Sequence, residues 1–256
     1  MRSTIHVTGH QIECDVLNPD GEAPWVVFLH EGLGSIDLWR GFPADVAAAT
    51  GRPVLVYNRH GHGFSDVLTE PRNVDFMHHE ALVTFPEVLA SFGIERPILV
   101  GHSDGASIAL IYAGAGHPVA GIAAFAPHVF VEPEAIASIE VAKERFATTD
   151  LADRMARYHR DPTVTFRGWN DIWLDPEFED WDITEYLPGI SCPVLLVQGL
   201  DDEYGTLAQL DTVENALAGS VERLELSDCR HSPHLDRRQK TLEATTRFIN
   251  TITTDG

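Results

Sequence analysis

The 256-residue chain has little cysteine and no long hydrophobic run. Its three cysteines, Cys14, Cys192 and Cys229, are widely spaced and form no CxxC pair, which disfavours both a disulfide framework and a zinc site. No segment approaches the roughly 20 consecutive apolar residues of a membrane-spanning helix. Residues 1–18 also lack the apolar block of a signal peptide. We therefore expect a cytoplasmic protein with reduced thiols.

Positive charge is also scarce. The chain has 18 lysines and arginines against 39 aspartates and glutamates, a formal net charge of -21, and its lysines are Lys143 and Lys240. Such a surface repels phosphate backbones and anionic lipids. The sequence therefore predicts a small-molecule partner and no nucleic acid or membrane, and it leaves a homodimer open.

Two kinds of strand pattern are present. Residues 4–17 alternate apolar and polar side chains around Gly9, as a hairpin does when one face is wet. Later runs are apolar throughout, the pattern of parallel strands covered on both faces. These runs are 25–30, 53–58, 97–102, 119–126 and 193–199.

Helical patterns separate the apolar runs and supply the crossovers that parallel strands require. They cover about 42–51, 74–92, 104–116 and 237–252. The alternation predicts an α/β fold in which a mostly parallel sheet has helices on both faces.

The alternation stops once, between about residues 128 and 187. This segment begins with a pattern of two short helices and continues with three tryptophans, Trp169, Trp173 and Trp181. We expect a small helical cap over the carboxyl edge of the sheet, where open α/β sheets bind ligands. The predicted division is a core of 1–127 and 188–256 with a cap at 128–187.

Ser103 lies between a strand pattern and a helix pattern, in the stretch "GHSDG". A sharp strand-to-helix turn has a strained backbone and needs small neighbours, here Gly101 and Gly105. This is the context of a nucleophile elbow. The alternative is a serine that caps a helix in a glycine-rich turn.

A nucleophilic serine needs a base and an orienting acid, in the chain order serine, acid, histidine. Asp201 and Asp202 follow the run 193–199, and His231 and His234 follow a strand pattern at 221–228. The residues alone leave each pair open. No histidine cluster has the carboxylate or cysteine partners that would indicate a metal.

An oxyanion hole is the remaining requirement. The turn "HEGLGS" follows the run 25–30 and can present backbone N–H groups to a developing oxyanion. The second donor would be the N–H of Asp104, at the start of the helix that follows Ser103.

Five segments, in this order, resemble the α/β-hydrolase superfamily: "LHEGLGS", "YNRHGHGFSD", "GHSDG", "QGLDD" and "RHSPHLD". They span almost the whole chain. The resemblance implies an eight-stranded sheet, a cap after strand six, a Ser-His-Asp triad and no cofactor.

The resemblance also favours particular members of each pair. It implies His231 as the base and, as the acid, Asp202, the third residue after the strand-terminal Gly199. Asp201 is the second choice for the acid. Glu132 is the third, because some members of the superfamily carry their acid after the preceding strand.

The chain departs from the superfamily at two positions. Glu31 stands where a glycine is usual, so the amides of Gly32 and Leu33 are both candidate oxyanion donors, and we favour Gly32. Asp104 follows the nucleophile where many members have an apolar or amide side chain. Its carboxylate would repel an anionic substrate if it faced the site.

Five side chains are expected to contact the substrate: Glu31, Leu33, His128, Trp169 and Trp173. The predicted activity is hydrolysis of a small to medium or aromatic carboxylic ester through an acyl-enzyme on Ser103. Alternatives among enzymes are hydrolysis of a carbon–carbon bond, a lactone or a thioester. An alternative of another class is a small-molecule receptor that turns over slowly.

Overall fold

The computed structural model describes residues 1–252. Its centre is one eight-stranded sheet with the order β1-β2-β4-β3-β5-β6-β7-β8. β1 pairs antiparallel with β2 and β2 with β4, and every other pairing is parallel. The strands are β1 (Arg2–Val7), β2 (His10–Leu17), β3 (Val26–Leu29), β4 (Val54–Tyr57), β5 (Ile98–His102), β6 (Gly121–Phe125), β7 (Val194–Gly199) and β8 (Val221–Leu226).

Helices connect the parallel strands, as the crossover rule requires. They are α1 (Phe42–Thr50), α2 (Phe76–His79), α3 (Phe85–Ser91), α4 (Asp104–Gly114), α5 (Pro133–Thr148), α6 (Leu151–Met155), α7 (Pro162–Trp173), α8 (Ala208–Ala216), α9 (Pro233–Asp236) and α10 (Arg238–Thr251). A π-helical segment, Glu80–Thr84, joins α2 to α3. In residues 1–252 no helix is long and apolar enough to cross a bilayer.

The hydrophobic core lies on both faces of the sheet. Every residue of the central strands β3 to β7 is buried, which explains their continuous apolar sequences. Alternate side chains enter opposite clusters: Val26 and Phe28 pack towards α1 and α10, whereas Val27 and Leu29 pack towards α3 and α4. The predicted α/β fold with a mostly parallel eight-stranded sheet is therefore confirmed.

The segment between β6 and β7 holds more helix than the sequence pattern indicated. The two short helices predicted here are one 16-residue helix, α5, and one five-residue helix, α6. A third helix, α7, was not predicted, and it carries Trp169 and Trp173. Asp161 caps its first turn by accepting from the Val164 N–H, and its apolar residues pack into the core cluster.

The parallel strands direct five loops to one edge of the sheet. These loops follow β3, β5, β6, β7 and β8 and carry residues 30–35, 103, 126–132, 200–207 and 227–232. This edge is where open α/β sheets place their ligands, and it gathers the side chains considered next.

Candidate active site

Ser103 has a backbone conformation that an L-residue rarely adopts, with φ 53° and ψ -123°. Its N–H donates to the carbonyl of Phe125 at 2.9 Å. The flanking glycines are required by close packing: a Cβ on Gly105 would overlap the carbonyl oxygen of Leu29, and a Cβ on Gly101 would lie 2.5 Å from the Gly105 oxygen. The strand-to-helix turn therefore presents a strained serine at the start of α4.

The structure distinguishes the two adjacent aspartates. Asp202 Oδ1 and Oδ2 lie 2.9 and 3.0 Å from Nδ1 of His231, and the Asp202 side chain is only 2% exposed. The Tyr204 N–H also donates to Asp202 Oδ1, at 2.9 Å. Asp201 is exposed, and its N–H donates to the carbonyl of Cys229. Asp202 is thus the aspartate that orients the imidazole.

This contact changes the pKa values of both partners. Burial lowers the pKa of His231, but the adjacent Asp202 carboxylate outweighs burial, so the pKa lies above the ordinary value. Burial raises the pKa of Asp202, but the charge and hydrogen bond of His231 outweigh burial. The pKa of Asp202 therefore lies below its ordinary value. Nδ1 of His231 therefore carries its proton towards Asp202, which leaves Nε2 for proton transfer.

Ser103 and His231 line the same pocket, which has a volume of about 100 Å³. Within residues 1–252 no hydrogen bond joins the Ser103 hydroxyl to the imidazole. Catalytic hydrogen bonds are often long without substrate and tighten in the Michaelis complex. The arrangement is therefore compatible with a serine that is activated when substrate enters.

The turn after β3 supplies two backbone donors. The N–H of Gly34 donates to the carbonyl of Glu31 at 3.0 Å, which makes Glu31–Gly34 a β-turn. The amides of its central residues, Gly32 and Leu33, donate to no other group in the part of the chain that the structure describes. Both remain candidate oxyanion donors. Asp104 begins α4, where a backbone N–H has no partner within the helix.

All five side chains expected to contact substrate line the pocket: Glu31, Leu33, His128, Trp169 and Trp173. Burial lowers the pKa of His128 to about 3, so its ring is neutral at physiological pH. Sequence reasoning missed three lining residues, Ala135, Ile139 and Tyr204. Ala135 and Ile139 lie on α5 and Tyr204 lies two residues after Asp202. No sequence motif includes any of the three.

Asp104 is not among the residues that line the pocket. It is 1% exposed, and its Oδ2 lies 3.7 Å from the Arg59 guanidinium. Arg59 also donates to the carbonyls of His30 and Glu31, at 3.2 and 2.9 Å. Burial raises the pKa of Asp104, and Arg59 opposes that rise. The carboxylate therefore helps to hold the arginine beneath the turn, and it is Glu31 that brings negative charge to the pocket wall.

The other candidates of the sequence analysis have structural contacts. His234 is 1% exposed and packs against Trp39, with ring centroids 4.7 Å apart. The Glu132 carboxylate accepts from the Thr206 N–H and hydroxyl, at 2.9 and 2.6 Å, and from Gln209. Glu132 thus holds the loop after β7 and does not contact His231. Trp181 stacks on Phe178, outside the pocket.

Residues 24–238 match the family model of the alpha/beta hydrolase fold. The chain belongs to the α/β-hydrolase family. The resemblance of the five motifs to this superfamily is therefore confirmed. Within residues 1–252 no group of three or more His, Cys, Asp or Glu side chains is placed to hold a metal ion.

Solved structures of other α/β hydrolases have the same fold at low sequence identity. An esterase from Exiguobacterium antarcticum has a TM-score of 0.77 at 18% identity, covering 98% of this chain and 100% of its own. The enol-lactonase from Burkholderia xenovorans has a TM-score of 0.74 at 20% identity, and the match covers 97% of this chain and 100% of the lactonase. Proline iminopeptidase from Mycobacterium smegmatis gives 0.70 at 20%, covering 98% of each chain. These similarities show the fold alone.

The hydrogen bond between Asp202 and His231 predicts unequal effects at the adjacent aspartates. Asp202→Asn should lower the kcat of a hydrolytic reaction by a few powers of ten and leave KM nearly unchanged, because an amide favours the wrong imidazole tautomer. Asp201→Asn, the matched control, should retain most activity. Steady-state kinetics of both variants check this, and an inactive Asp201→Asn beside an active Asp202→Asn would refute the assignment.

The raised pKa of His231 predicts the acid side of the pH profile. A general base acts when it is unprotonated, so kcat/KM should fall as the pH drops through a midpoint above about 6.5, the ordinary histidine value. Asp202→Asn removes the main cause of the rise and should move the midpoint of its residual activity to lower pH. An unchanged midpoint in that variant would contradict the coupling.

Proposed function

We propose that this protein is a serine hydrolase that cleaves an uncharged carboxylic ester, of small to medium size or aromatic, through an acyl-enzyme on Ser103. One observation carries the proposal. The Asp202–His231 hydrogen bond orients an imidazole in the wall of the pocket that Ser103 also lines. A serine beside an oriented imidazole, at the end of a strained turn, is the arrangement that nucleophilic catalysis needs.

In the first half of the reaction, Ser103 Oγ attacks the carbonyl carbon of the ester and transfers its proton to Nε2 of His231. The imidazolium is stabilised by the Asp202 carboxylate on its other nitrogen. The tetrahedral oxyanion accepts hydrogen bonds from the backbone N–H groups of Gly32 and Asp104. His231 then protonates the alcohol, which leaves.

In the second half, water attacks the acyl-enzyme with His231 as the general base and releases the acid. The same donors stabilise the second tetrahedral intermediate, so no further group is needed. Because the nucleophile is a serine, chemistry that runs through an aspartyl-enzyme ester, such as dehalogenation, is disfavoured.

The pocket supports a small, uncharged acyl or alcohol group. Its volume is about 100 Å³, below the roughly 300–1,000 Å³ of sites for drug-sized ligands. Its walls include the rings of Trp169, Trp173 and Tyr204, which favour flat apolar groups. The Glu31 carboxylate in the wall disfavours a substrate anion.

Lactones have the same reacting group as linear esters, and one neighbour in fold is named an enol-lactonase. A panel of p-nitrophenyl esters, lactones, thioesters and diketone ring-cleavage products should show turnover that is highest for one of the uncharged esters. Ser103→Ala should remove almost all of that turnover while the protein stays folded. Turnover retained by Ser103→Ala, or only stoichiometric cleavage of every compound, would refute the proposal.

The tryptophans of α7 predict the choice between acyl groups. Trp169 packs directly on the oxyanion turn, since a Cβ on Gly32 would overlap its indole ring. Trp169→Ala should lower kcat/KM for p-nitrophenyl benzoate about tenfold more than for the acetate, which corresponds to roughly 1.4 kcal/mol of lost apolar contact.

Trp181 provides the matched control for that experiment. It is a buried tryptophan of the same segment that packs outside the pocket. Trp181→Ala should lower the unfolding temperature and leave the benzoate-to-acetate ratio unchanged. Equal ratios in both variants and the wild type would mean that Trp169 only stabilises the fold.

A further inference from the structure

His102 lies between Gly101 and Ser103 and is 1% exposed. Its Nε2 lies 2.7 Å from the backbone carbonyl oxygen of His231. Its Nδ1 faces the Glu31 carboxylate, with 3.4 Å to Oε2. The side chain therefore connects the oxyanion turn to the loop that carries the base.

The partners of His102 fix the orientation of its ring. A backbone carbonyl can only accept, so Nε2 carries a hydrogen and donates it to the carbonyl of His231. Nδ1 has no hydrogen-bond partner within the described residues, and the Glu31 carboxylate, whose side chain is 26% exposed, lies beside it. Burial raises the pKa of Glu31, but His102 and the nearby imidazoles outweigh burial, and the net direction is downward. The pair therefore sets a partly exposed carboxylate beside the buried ring of His102.

We propose that the contact between Glu31 and His102 positions the oxyanion turn and the His231 loop relative to Ser103. In this role, neither residue exchanges a proton with the substrate. The proposal rests on the proposed function, because it assigns these residues a role in the reaction of Ser103.

Glu31 and His102 together contact both loops. Glu31 opens the β-turn that presents the Gly32 and Leu33 amides, and its carboxylate packs so closely on Gly34 that a Cβ there would overlap it. On the other side, the His102 ring lies 5.1 Å from the His231 ring, centroid to centroid. A shift of either loop by about 1 Å is enough to lower a rate by roughly a hundredfold.

Four variants test the pair by their kcat and KM for p-nitrophenyl acetate. They are His102→Gln, Glu31→Gln, the double variant and the control Glu80→Gln, which alters a buried acid that accepts from Tyr57 and does not line the pocket. We expect each single variant to lower kcat by roughly 10- to 100-fold with KM within about threefold. The double variant should be no slower than the slower single variant, because both changes break one link. Glu80→Gln should be unaffected.

Thermal unfolding of each variant shows whether it is folded, and Glu31→Asp, which keeps the charge, should recover part of the lost kcat.

Other results of these experiments would overturn the positioning role. Wild-type kcat in both single variants, or effects that multiply in the double variant, would overturn the positioning role. If the wild type hydrolyses no ester, it is the proposed function that fails, whereas both outcomes above are measured on an active enzyme.

Discussion

The left-handed backbone of Ser103 is the constraint on which the rest of the site depends. Such a conformation costs about 1–3 kcal/mol and persists only where its surroundings enforce it. Here the enforcement comes from the Phe125 carbonyl, which accepts from the serine N–H, and from Gly105, which packs against the end of β3 without room for a Cβ. The same turn starts α4 at Asp104, so the proposed nucleophile and the proposed oxyanion donor are both positioned by it.

Three acidic side chains around this turn each face a basic or imidazole side chain. Asp202 faces His231, Asp104 faces Arg59, and Glu31 faces His102. An unpaired buried charge would be strongly destabilising, so Asp202 and Asp104 fix the loops that carry them and their partners. Together the three contacts connect the loops after β3, β4, β5, β7 and β8.

Much of this arrangement was readable from the sequence because it repeats local patterns. Continuous apolar runs predicted the covered strands, and glycines two residues on either side of Ser103 predicted the turn. The helix α7 was not predicted, although Phe166, Trp169 and Trp173 stand at helical spacing, because the tryptophans were interpreted only as packing of a cap. Tyr204 and the Asp104–Arg59 pair were also missed, because both depend on loops that are distant in sequence and meet only in the folded chain.

The central claim is that Ser103 is a nucleophile activated by His231. Labelling with a fluorophosphonate, followed by mass spectrometry of the peptides, measures this without knowledge of the substrate. The account predicts one equivalent of label on Ser103 and a rate that falls by several powers of ten in His231→Ala. Label on another residue, or an equal rate in His231→Ala, would contradict it.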